Sequence, residues 1–324
     1  MAAVALLIGY AAADFFTGEG INAAVLFHAR YGLRGAGFAE YAGLIGICVA
    51  VFVAAAATLA FACFSRVHLP RRRRVLTASG LLIAGSFGFN PATWDLIENV
   101  RPVAPATADF LRHYRVPRIA AVAPEHPNVV FIFAESLERT YFDEAIFPGL
   151  IKDLRMLEQQ GISFTNIHTV EGTGFTMGGL VAGLCGIPLF SPAHANSMSG
   201  MDSFLPGVAG LSDLLHEQAY HLAFMGGASL DFAGKGKFLR THQFDELSGF
   251  SELHARVSDK AYINNWGLYD DTLFDMAFDR FRELSENGKR FALFLLTLDT
   301  HHPNGHVSRG AGISQYGDGT NPLL

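Results

Sequence analysis

The sequence predicts an α/β fold in which N-terminal transmembrane helices are followed by an α/β/α domain with a mainly parallel sheet. Hydrophobic residues make up 50% of the chain and the mean hydropathy is +0.25; the apolar excess lies in residues 1–95. The run Val129–Phe133 is apolar, β-branched and of strand length, which is typical of a strand buried on both faces of a parallel sheet. From there to Leu298, strand-like and helix-like segments alternate, as in successive βαβ units.

Two apolar segments of the N-terminal region (residues 1–95) are predicted to cross a membrane. Residues 43–65 carry no charged side chain, and a helix of about 20 residues spans the hydrocarbon core of a bilayer. Residues 75–94 are a second, weaker candidate. Residues 1–13 are too short to span, and we interpret them as part of a helix, because a signal peptide would need a basic N-terminal region. The alternative for the whole region, a helical hairpin buried in a soluble protein, leaves the flanking arginines unexplained.

The charges between these segments predict the topology. The short loop 66–74 is rich in arginine and is expected on the cytoplasmic side of the membrane. The residues after the second span are then expected on the opposite side. Residues 96–127 are rich in proline and predict an extended linker on that side, which leads into a globular domain at 128–324.

Alternating patterns predict the elements of the globular domain. Helices are expected at 148–160, 175–184, 211–219 and 270–287, and strands at 128–133, 162–164, 221–225 and 291–298. Functional residues of such sheets lie in loops at the carboxyl ends of strands. The net charge of −6, without a basic region, argues against a nucleic-acid partner. Three cysteines, two of them inside the apolar N-terminal runs, exclude a disulfide framework.

The first candidate site residue is Glu135, which follows the predicted strand at 128–133. A carboxylate at the end of a strand, beside an otherwise apolar sheet, is well placed to bind a hard cation. An acid that caps a following helix is the alternative.

The second candidate is Thr176, in the glycine-rich segment 171–179 at the start of a predicted helix. A hydroxyl there lies beside free backbone N–H groups and the positive end of the helix dipole, which suits a phosphoryl oxygen. Such a hydroxyl can act as a nucleophile when a metal lowers its pKa. An ordinary N-cap is the alternative, and Thr173 is a rival nucleophile by spacing.

The third candidate is His301, which follows the predicted strand at 291–298. Adjacent histidines point in different directions, so one of His301 and His302 is expected to reach a site. A surface position for both is the alternative.

Several segments, taken in order, resemble the phosphoglycerol transferases that decorate osmoregulated periplasmic glucans. This family is similar to the lipoteichoic acid synthases and belongs to the sulfatase and alkaline-phosphatase-like superfamily, which implies a sulfatase-like α/β/α catalytic domain. The matching segments are Phe16–Ile21, Glu135–Asp143, Gly172–Thr176, Cys185–Phe190, Phe232–Lys235, Asn265–Thr272 and Thr297–Pro303.

The resemblance implies a role for each candidate. Glu135 matches the family's metal-binding glutamate. Thr176, rather than Thr173, matches its catalytic threonine, which also ligates the metal and becomes covalently attached to phosphoglycerol. His301 matches a histidine that contacts substrate near the phosphate. The implied cofactor is a divalent metal, Mn²⁺ or Mg²⁺.

The resemblance also implies a reaction and a location. Phosphoglycerol would pass from phosphatidylglycerol to the threonine, with release of diacylglycerol, and then to a periplasmic glucan. The protein would be a multi-pass protein of the bacterial inner membrane with its catalytic domain in the periplasm. Three rivals stay open: a phosphoethanolamine transferase, a sulfatase-like hydrolase, and a non-catalytic membrane protein that binds glucan. The segment Cys185–Leu189 lacks the C-x-P-x-R frame of sulfatases.

Three departures from the family pattern lead to further expectations. The segment Met225–Lys235 lacks the His, Trp and Arg set of the lipoteichoic branch, so acceptor chemistry is not carried over from that branch. The family's metal site is completed by an Asp-His pair on a later strand, which we expect beyond Leu324, and the chain begins inside a predicted membrane helix. We therefore expect a chain truncated at both ends, inactive alone, with an unpaired strand edge beside 291–298. In the opposing interpretation Asp299, His301 or His302 completes the metal site.

Overall fold

The computed structural model describes residues 1–22, 25–26, 29, 41–64, 72–100, 113–120, 125–189, 203–301, 305–312 and 316. These residues fall into two compact units. The first contains the described residues up to Arg115, and the second contains those from Val116 onward.

The first unit is helical. Its helices are α1 (Ala2–Thr17), α2 (Ala42–Phe64), α3 (Arg72–Gly88) and α4 (Pro91–Val100). The helix predicted at 1–13 therefore continues to Thr17, where Gly18 ends it in a left-handed conformation. Among the described residues, the structure contains no helix with the length and apolar character needed to cross a membrane.

The single helix predicted over 75–94 is wrong, because the chain breaks at Asn90. Helix α3 ends at Gly88, and Pro91 starts α4 at a position where its missing N–H costs no helix hydrogen bond. Helix α4 continues to Val100, so the predicted linker begins later than residue 96. Of the predicted basic loop, 66–71 lies outside the described residues, and Arg72–Arg74 form the first turn of α3.

Helices α1 and α4 are joined through the loop that follows α1. The Ile21 N–H donates a hydrogen bond to Asp95 Oδ2 at 2.8 Å, and Asn99 Nδ2 donates to the Ile21 carbonyl at 2.9 Å. Ala13, Ile21 and Ala92 are buried together beneath this loop. The segment Phe16–Ile21, singled out in the sequence, thus has a structural role in the first unit.

The second unit is built on a parallel four-stranded sheet. Its strands are β1 (Val129–Phe133), β2 (His221–Gly226), β3 (Glu246–Ser248) and β4 (Phe291–Leu296), in the order β1-β4-β2-β3. Every strand pair is parallel, as predicted. All six residues of β4, which lies between β1 and β2, are buried.

Six helices of the described chain accompany this sheet. They are α5 (Lys152–Glu158), α6 (Thr176–Cys185), α7 (Leu211–Glu217), α8 (Lys235–Thr241), α9 (Phe250–His254) and α10 (Asp270–Glu286). The helices predicted at 175–184 and 270–287 agree with α6 and α10 to within a residue at each end, whereas α5 is shorter than predicted. The strand predicted at 162–164 is wrong: this segment has no regular structure, and Ile162 and Phe164 are exposed.

Strand β1 is not buried on both faces, contrary to the sequence prediction. Val130 is 45% exposed and Ile132 is 52% exposed, whereas Phe131 stacks on Phe294 of β4 at 5.1 Å between ring centroids. Val130 and Ile132 lie on the same face of β1, and the described residues leave that face largely uncovered. Strand β1 is also the edge strand, where β4 is the only strand of the described residues that pairs with it. Among the described residues, the side of β1 that faces away from β4 pairs with no strand, and the unpaired edge expected beside residues 291–298 stays a prediction.

Candidate active site

The carboxyl ends of β1 and β4 and the N-termini of α6 and α8 surround a pocket. This edge of a parallel sheet is where functional loops gather. All three candidate residues, Glu135, Thr176 and His301, line the pocket. Its wall is completed by Ala228, Phe232, Lys235, Trp266, Leu296, Thr297 and Leu298.

Glu135 is held in place by the loop that follows β4. Its backbone N–H donates to Thr297 Oγ1 at 2.9 Å, and its carbonyl accepts a hydrogen bond from the Thr300 hydroxyl. The next residue, Ser136, has a φ of 54°, a conformation that is costly outside glycine and is typical of functional sites. The Glu135 backbone is thus fixed by the loop that follows β4, and its side chain faces the pocket rather than capping a helix.

Thr176 is the first residue of α6, and its hydroxyl faces Glu135. The N-cap position is occupied by Phe175, so the interpretation of Thr176 as an N-cap is wrong. Thr176 Oγ1 instead donates a hydrogen bond to Glu135 Oε2 at 3.2 Å. The rival Thr173 bonds to Val170, with its hydroxyl donating to the Val170 carbonyl at 2.7 Å, and it is not among the described residues that line the pocket.

The glycine-rich loop before Thr176 depends on Gly172, whose φ is +81°. A Cβ atom there would lie 2.8 Å from the Leu189 carbonyl oxygen, which is closer than packing allows. We expect Gly172→Ala to lower the free energy of unfolding by about 1–3 kcal/mol, because it adds steric conflict to a left-handed backbone. Urea denaturation compares this variant with Gly179→Ala. Gly179 lies inside α6, and a Cβ atom there would meet only the Thr173 carbonyl oxygen, at 3.9 Å. That control is expected to be neutral or up to about 1 kcal/mol stabilising; equal stabilities would contradict the prediction.

Lys235 supplies the pocket with a buried cation. The side chain is only 2% exposed, and burial lowers the pKa of its ammonium to about 8, although the nearby negative charge of Glu135 acts in the opposite direction. The two residues that precede Lys235, Ala233 and Gly234, have φ values of 53° and 75°. A backbone conformation of high energy next to a buried charge indicates a functional position.

Lys235 is a pocket residue for which no role was predicted, although its position in the chain is a signal for one. Lys235 is the first residue of α8, where a cation opposes the helix dipole and is normally disfavoured. A lysine placed there is better explained by an anion in front of the helix than by helix stability.

An aromatic wall closes one side of the pocket. The rings of Trp266 and His301 lie 4.2 Å apart between centroids, and Phe232 meets Trp266 edge-on at 5.8 Å. The His301 N–H donates to the Leu298 carbonyl at 2.9 Å, which keeps the turn after β4 compact. His301 is therefore part of the pocket wall, while His302 lies outside the described residues.

The chemistry of the donors fits a divalent cation only in part. Glu135 and Thr176 bring one carboxylate and one hydroxyl together, and such oxygen donors suit Mg²⁺ or Mn²⁺. Within the described ranges, however, no three His, Cys, Asp or Glu side chains are grouped so as to hold a metal ion. The carboxylate of Asp299 is bonded to the backbone of Asp270 and does not line the pocket, which does not support its predicted alternative role as a ligand.

Cys185 is placed at the far end of the helix that Thr176 begins. Burial, together with the negative charge of Asp213, raises the pKa of its thiol to about 12. The thiol stays protonated at neutral pH, and the thiolate is the reactive form of cysteine. Cys185 is also not among the described residues that line the pocket, so the structure does not support a nucleophilic role for it.

Comparison with known proteins identifies the family of the chain. Residues 127–315 match the sulfatase family. The chain belongs to this family. Residues 1–105 match the N-terminal domain of phosphoglycerol transferase I. The chain is also 41% identical over 315 residues to phosphoglycerol transferase I of Escherichia coli, which confirms the resemblance found in the motifs. The match covers 97% of this chain and 41% of the length of that relative.

Two solved structures share the fold. A protein of the alkaline phosphatase superfamily from Vibrio parahaemolyticus matches with a TM-score of 0.50 and 25% identity, covering 62% of this chain and 48% of that one. The integral membrane protein lipooligosaccharide phosphoethanolamine transferase A from Neisseria meningitidis matches with a TM-score of 0.52 and 14% identity, covering 95% of this chain and 59% of that one. The predicted sulfatase-like α/β domain with its parallel sheet is thereby confirmed.

Proposed function

We propose that this protein transfers phosphoglycerol from phosphatidylglycerol to a periplasmic glucan through a covalent intermediate on Thr176. The observation that carries the proposal is the hydrogen bond from Thr176 Oγ1 to Glu135 Oε2, at a helix N-terminus and in a pocket with a buried cation. The likeness to phosphoglycerol transferase I supports the choice of head group.

In the first step, Thr176 Oγ1 forms a bond to the lipid phosphorus while the bond from phosphorus to the diacylglycerol oxygen breaks. The hydroxyl proton, which faces Glu135 Oε2 at the outset, ends on the departing diacylglycerol oxygen. Glu135 orients the hydroxyl so that an oxygen lone pair faces the substrate. The products are diacylglycerol and phosphoglycerol esterified to Thr176.

In the second step, a glucan hydroxyl attacks the phosphorus of the threonine ester. The bond from phosphorus to Thr176 Oγ1 breaks, and the proton of the glucan hydroxyl returns to that oxygen. The division of one displacement into two is the usual advantage of a covalent intermediate. Glu135 again accepts the hydrogen bond from the restored hydroxyl.

Two further residues act on the phosphoryl group. The ammonium of Lys235 attracts the phosphate oxygens, because a cation in a buried pocket interacts more strongly with an anion than one in water. His301, held between the loop and Trp266, contacts the substrate beside the phosphate. The first residues of α6 add backbone N–H groups that favour an anion.

Glu135 and Thr176 would also be two of the ligands of a divalent cation, Mn²⁺ or Mg²⁺. Such a cation, when bound, polarises the phosphoryl group and lowers the pKa of a hydroxyl. Titration of the protein with Mn²⁺, followed by the loss of metal affinity in a Glu135→Gln variant, tests these ligands.

We also propose that the N-terminal helices anchor the protein in the bacterial inner membrane, with the second unit in the periplasm. In support, α2 exposes apolar side chains such as Ile47, Val53 and Phe61, and a fully apolar surface is typical of helices in lipid. A reporter that is active only in the periplasm is expected to be active when fused after Pro127 and inactive when fused after Pro70. The reverse pattern would contradict this topology.

The transferase is tested with lipids carrying a radiolabelled head group. Because the chain spans 41% of its relative's length, the assay uses membranes with this chain and, in parallel, with a chimera in which it replaces the matching region of the Escherichia coli relative. Transfer of label from phosphatidylglycerol to glucan supports the proposal. Transfer from phosphatidylethanolamine alone would indicate the phosphoethanolamine transferase. Release of the labelled head group to water would indicate a hydrolase, and binding of glucan without transfer would indicate a non-catalytic protein.

A further inference from the structure

A pair of aspartates fastens the loop that carries His301 to the N-terminus of α10. The Asp270 carboxylate accepts hydrogen bonds from two successive backbone N–H groups, those of Leu298 at 2.7 Å and Asp299 at 2.9 Å. In return, Asp299 Oδ2 accepts a hydrogen bond from the Asp270 N–H at 3.0 Å. These reciprocal bonds hold the end of β4 against the helix.

The same loop carries the backbone of Glu135. Thr297 accepts a hydrogen bond from the Glu135 N–H through its hydroxyl, and its own N–H donates to the Phe133 carbonyl at 3.0 Å. The Thr300 hydroxyl donates to the Glu135 carbonyl. A displacement of this loop therefore moves Glu135 together with His301.

We propose that Asp270 and Asp299 are positioning residues of the active site, whose reciprocal hydrogen bonds set the place of Glu135 and His301. Neither aspartate is among the described residues that line the pocket, so each acts through the loop 297–301 rather than on the substrate. The catalytic meaning of this role rests on the proposed transferase function.

The pair is sensitive to protonation because one of its oxygens lacks a partner. Asp299 Oδ1 is buried and has no hydrogen-bond partner among the residues that the structure describes, so an ionised carboxylate would be left poorly compensated. Burial, and then the charges of Asp270 and Asp271, raise the pKa of Asp299 to about 7. Burial also raises the pKa of Asp270.

Other titratable groups surround the pair. On the side of β1, the negative charge of Glu135 acts on Asp270 and adds to the rise in its pKa. In the chain after β4, the His306 backbone N–H donates to the Asp299 carbonyl, and His301 lies two residues from Asp299. On α10, burial raises the pKa of Asp271, but hydrogen bonds from Tyr262 and Gly310 outweigh burial and hold that pKa below its ordinary value.

The direction of the effect follows from the raised pKa of Asp299. The ordinary pKa of an aspartate is about 4, so the folded state binds the proton more tightly than the unfolded state. The stabilisation by the protonated pair is complete below about pH 4 and is lost as the pH rises toward 7. The loop is expected to loosen over this interval.

Amide hydrogen exchange of the full chain tests the proposal. The rate is measured for the Glu135 amide at pH 5 and pH 8 and corrected for intrinsic exchange, in the wild type and in Asp299→Asn and Asp271→Asn. We expect protection in the wild type to fall by roughly tenfold or more between the two pH values, since one pKa unit corresponds to a factor of ten. Asp299→Asn removes the fall, because its side chain does not ionise. Asp271→Asn keeps the fall but moves its midpoint to lower pH, because the charge of Asp271 contributes to the raised pKa of Asp299.

The exchange measurement does not depend on catalysis. If the chimera lacks transferase activity while the full chain shows this exchange pattern, the proposed function is refuted and the positioning role is retained. Equal protection of the Glu135 amide at both pH values, or a fall that persists in Asp299→Asn, would overturn the positioning role. Should Asp299→Asn fail to fold, a pH series on the wild type decides, with an apparent midpoint near 7 expected and a flat profile contradicting the proposal.

Discussion

Replacement of Thr176 by alanine is expected to abolish transfer of phosphoglycerol and formation of the covalent intermediate. The substitution removes the only pocket hydroxyl that donates a hydrogen bond to Glu135 among the described residues. Loss of a nucleophile lowers turnover by at least about 10³-fold in enzymes that depend on a covalent step. The measurement is head-group transfer by the chimera, together with mass spectrometry of the protein after exposure to phosphatidylglycerol.

Two control variants separate the role of the hydroxyl from that of the loop. Thr176→Ser keeps a hydroxyl and is expected to retain part of the activity. Thr173→Ala removes a hydroxyl that bonds within the loop, to the Val170 backbone, and is expected to leave the adduct in place. An adduct of phosphoglycerol mass on the Thr176→Ala protein would show that another residue is the nucleophile.

The site could be predicted largely because parallel strands end at one edge of a sheet. Glu135 and His301 follow strands that proved to be neighbours, β1 and β4, and Thr176 begins a helix whose first turn faces the same edge. Each of these positions is visible from local patterns of apolar and small residues. Their shared location then follows from the general architecture of α/β sheets rather than from any contact that the sequence reveals.

Other features depend on contacts between distant segments and could not be predicted. Exposure of Val130 and Ile132 depends on what packs on one face of β1, and an apolar run alone does not show whether one face of a strand or both are covered. The break at Asn90 has a local signal, the Asn-Pro pair, but the apolar character of the segment as a whole does not show it. The pairing of Asp270 with Asp299 joins a helix start to a strand end through hydrogen bonds that leave no periodic pattern.

The buried charge of Lys235 serves the proposed function at the expense of the stability of the folded state. Its ammonium is enclosed, and burial lowers its pKa from 10.5 to about 8, so the charged form is held at a cost to the folded state. We expect Lys235→Met to raise the free energy of unfolding at pH 7 by about 3 kcal/mol, since each pKa unit corresponds to about 1.4 kcal/mol. The gain is expected to shrink as the pH rises from 8 toward 10.5, where the folded wild type loses its proton before the unfolded chain does.

The same substitution is expected to weaken phosphate binding by roughly 10- to 100-fold, because a charge-assisted hydrogen bond contributes about 1.5–3 kcal/mol. Urea denaturation and titration with glycerol phosphate can both be followed by the fluorescence of Trp266 in a Trp94→Phe background, since the chain has two tryptophans. Lys237→Met makes the same change on the same helix, outside the described pocket lining, and is expected to alter neither quantity appreciably. Unchanged phosphate affinity in Lys235→Met would remove Lys235 from the anion site, and lower stability at pH 7 would mean that the charge of Lys235 is compensated within the fold.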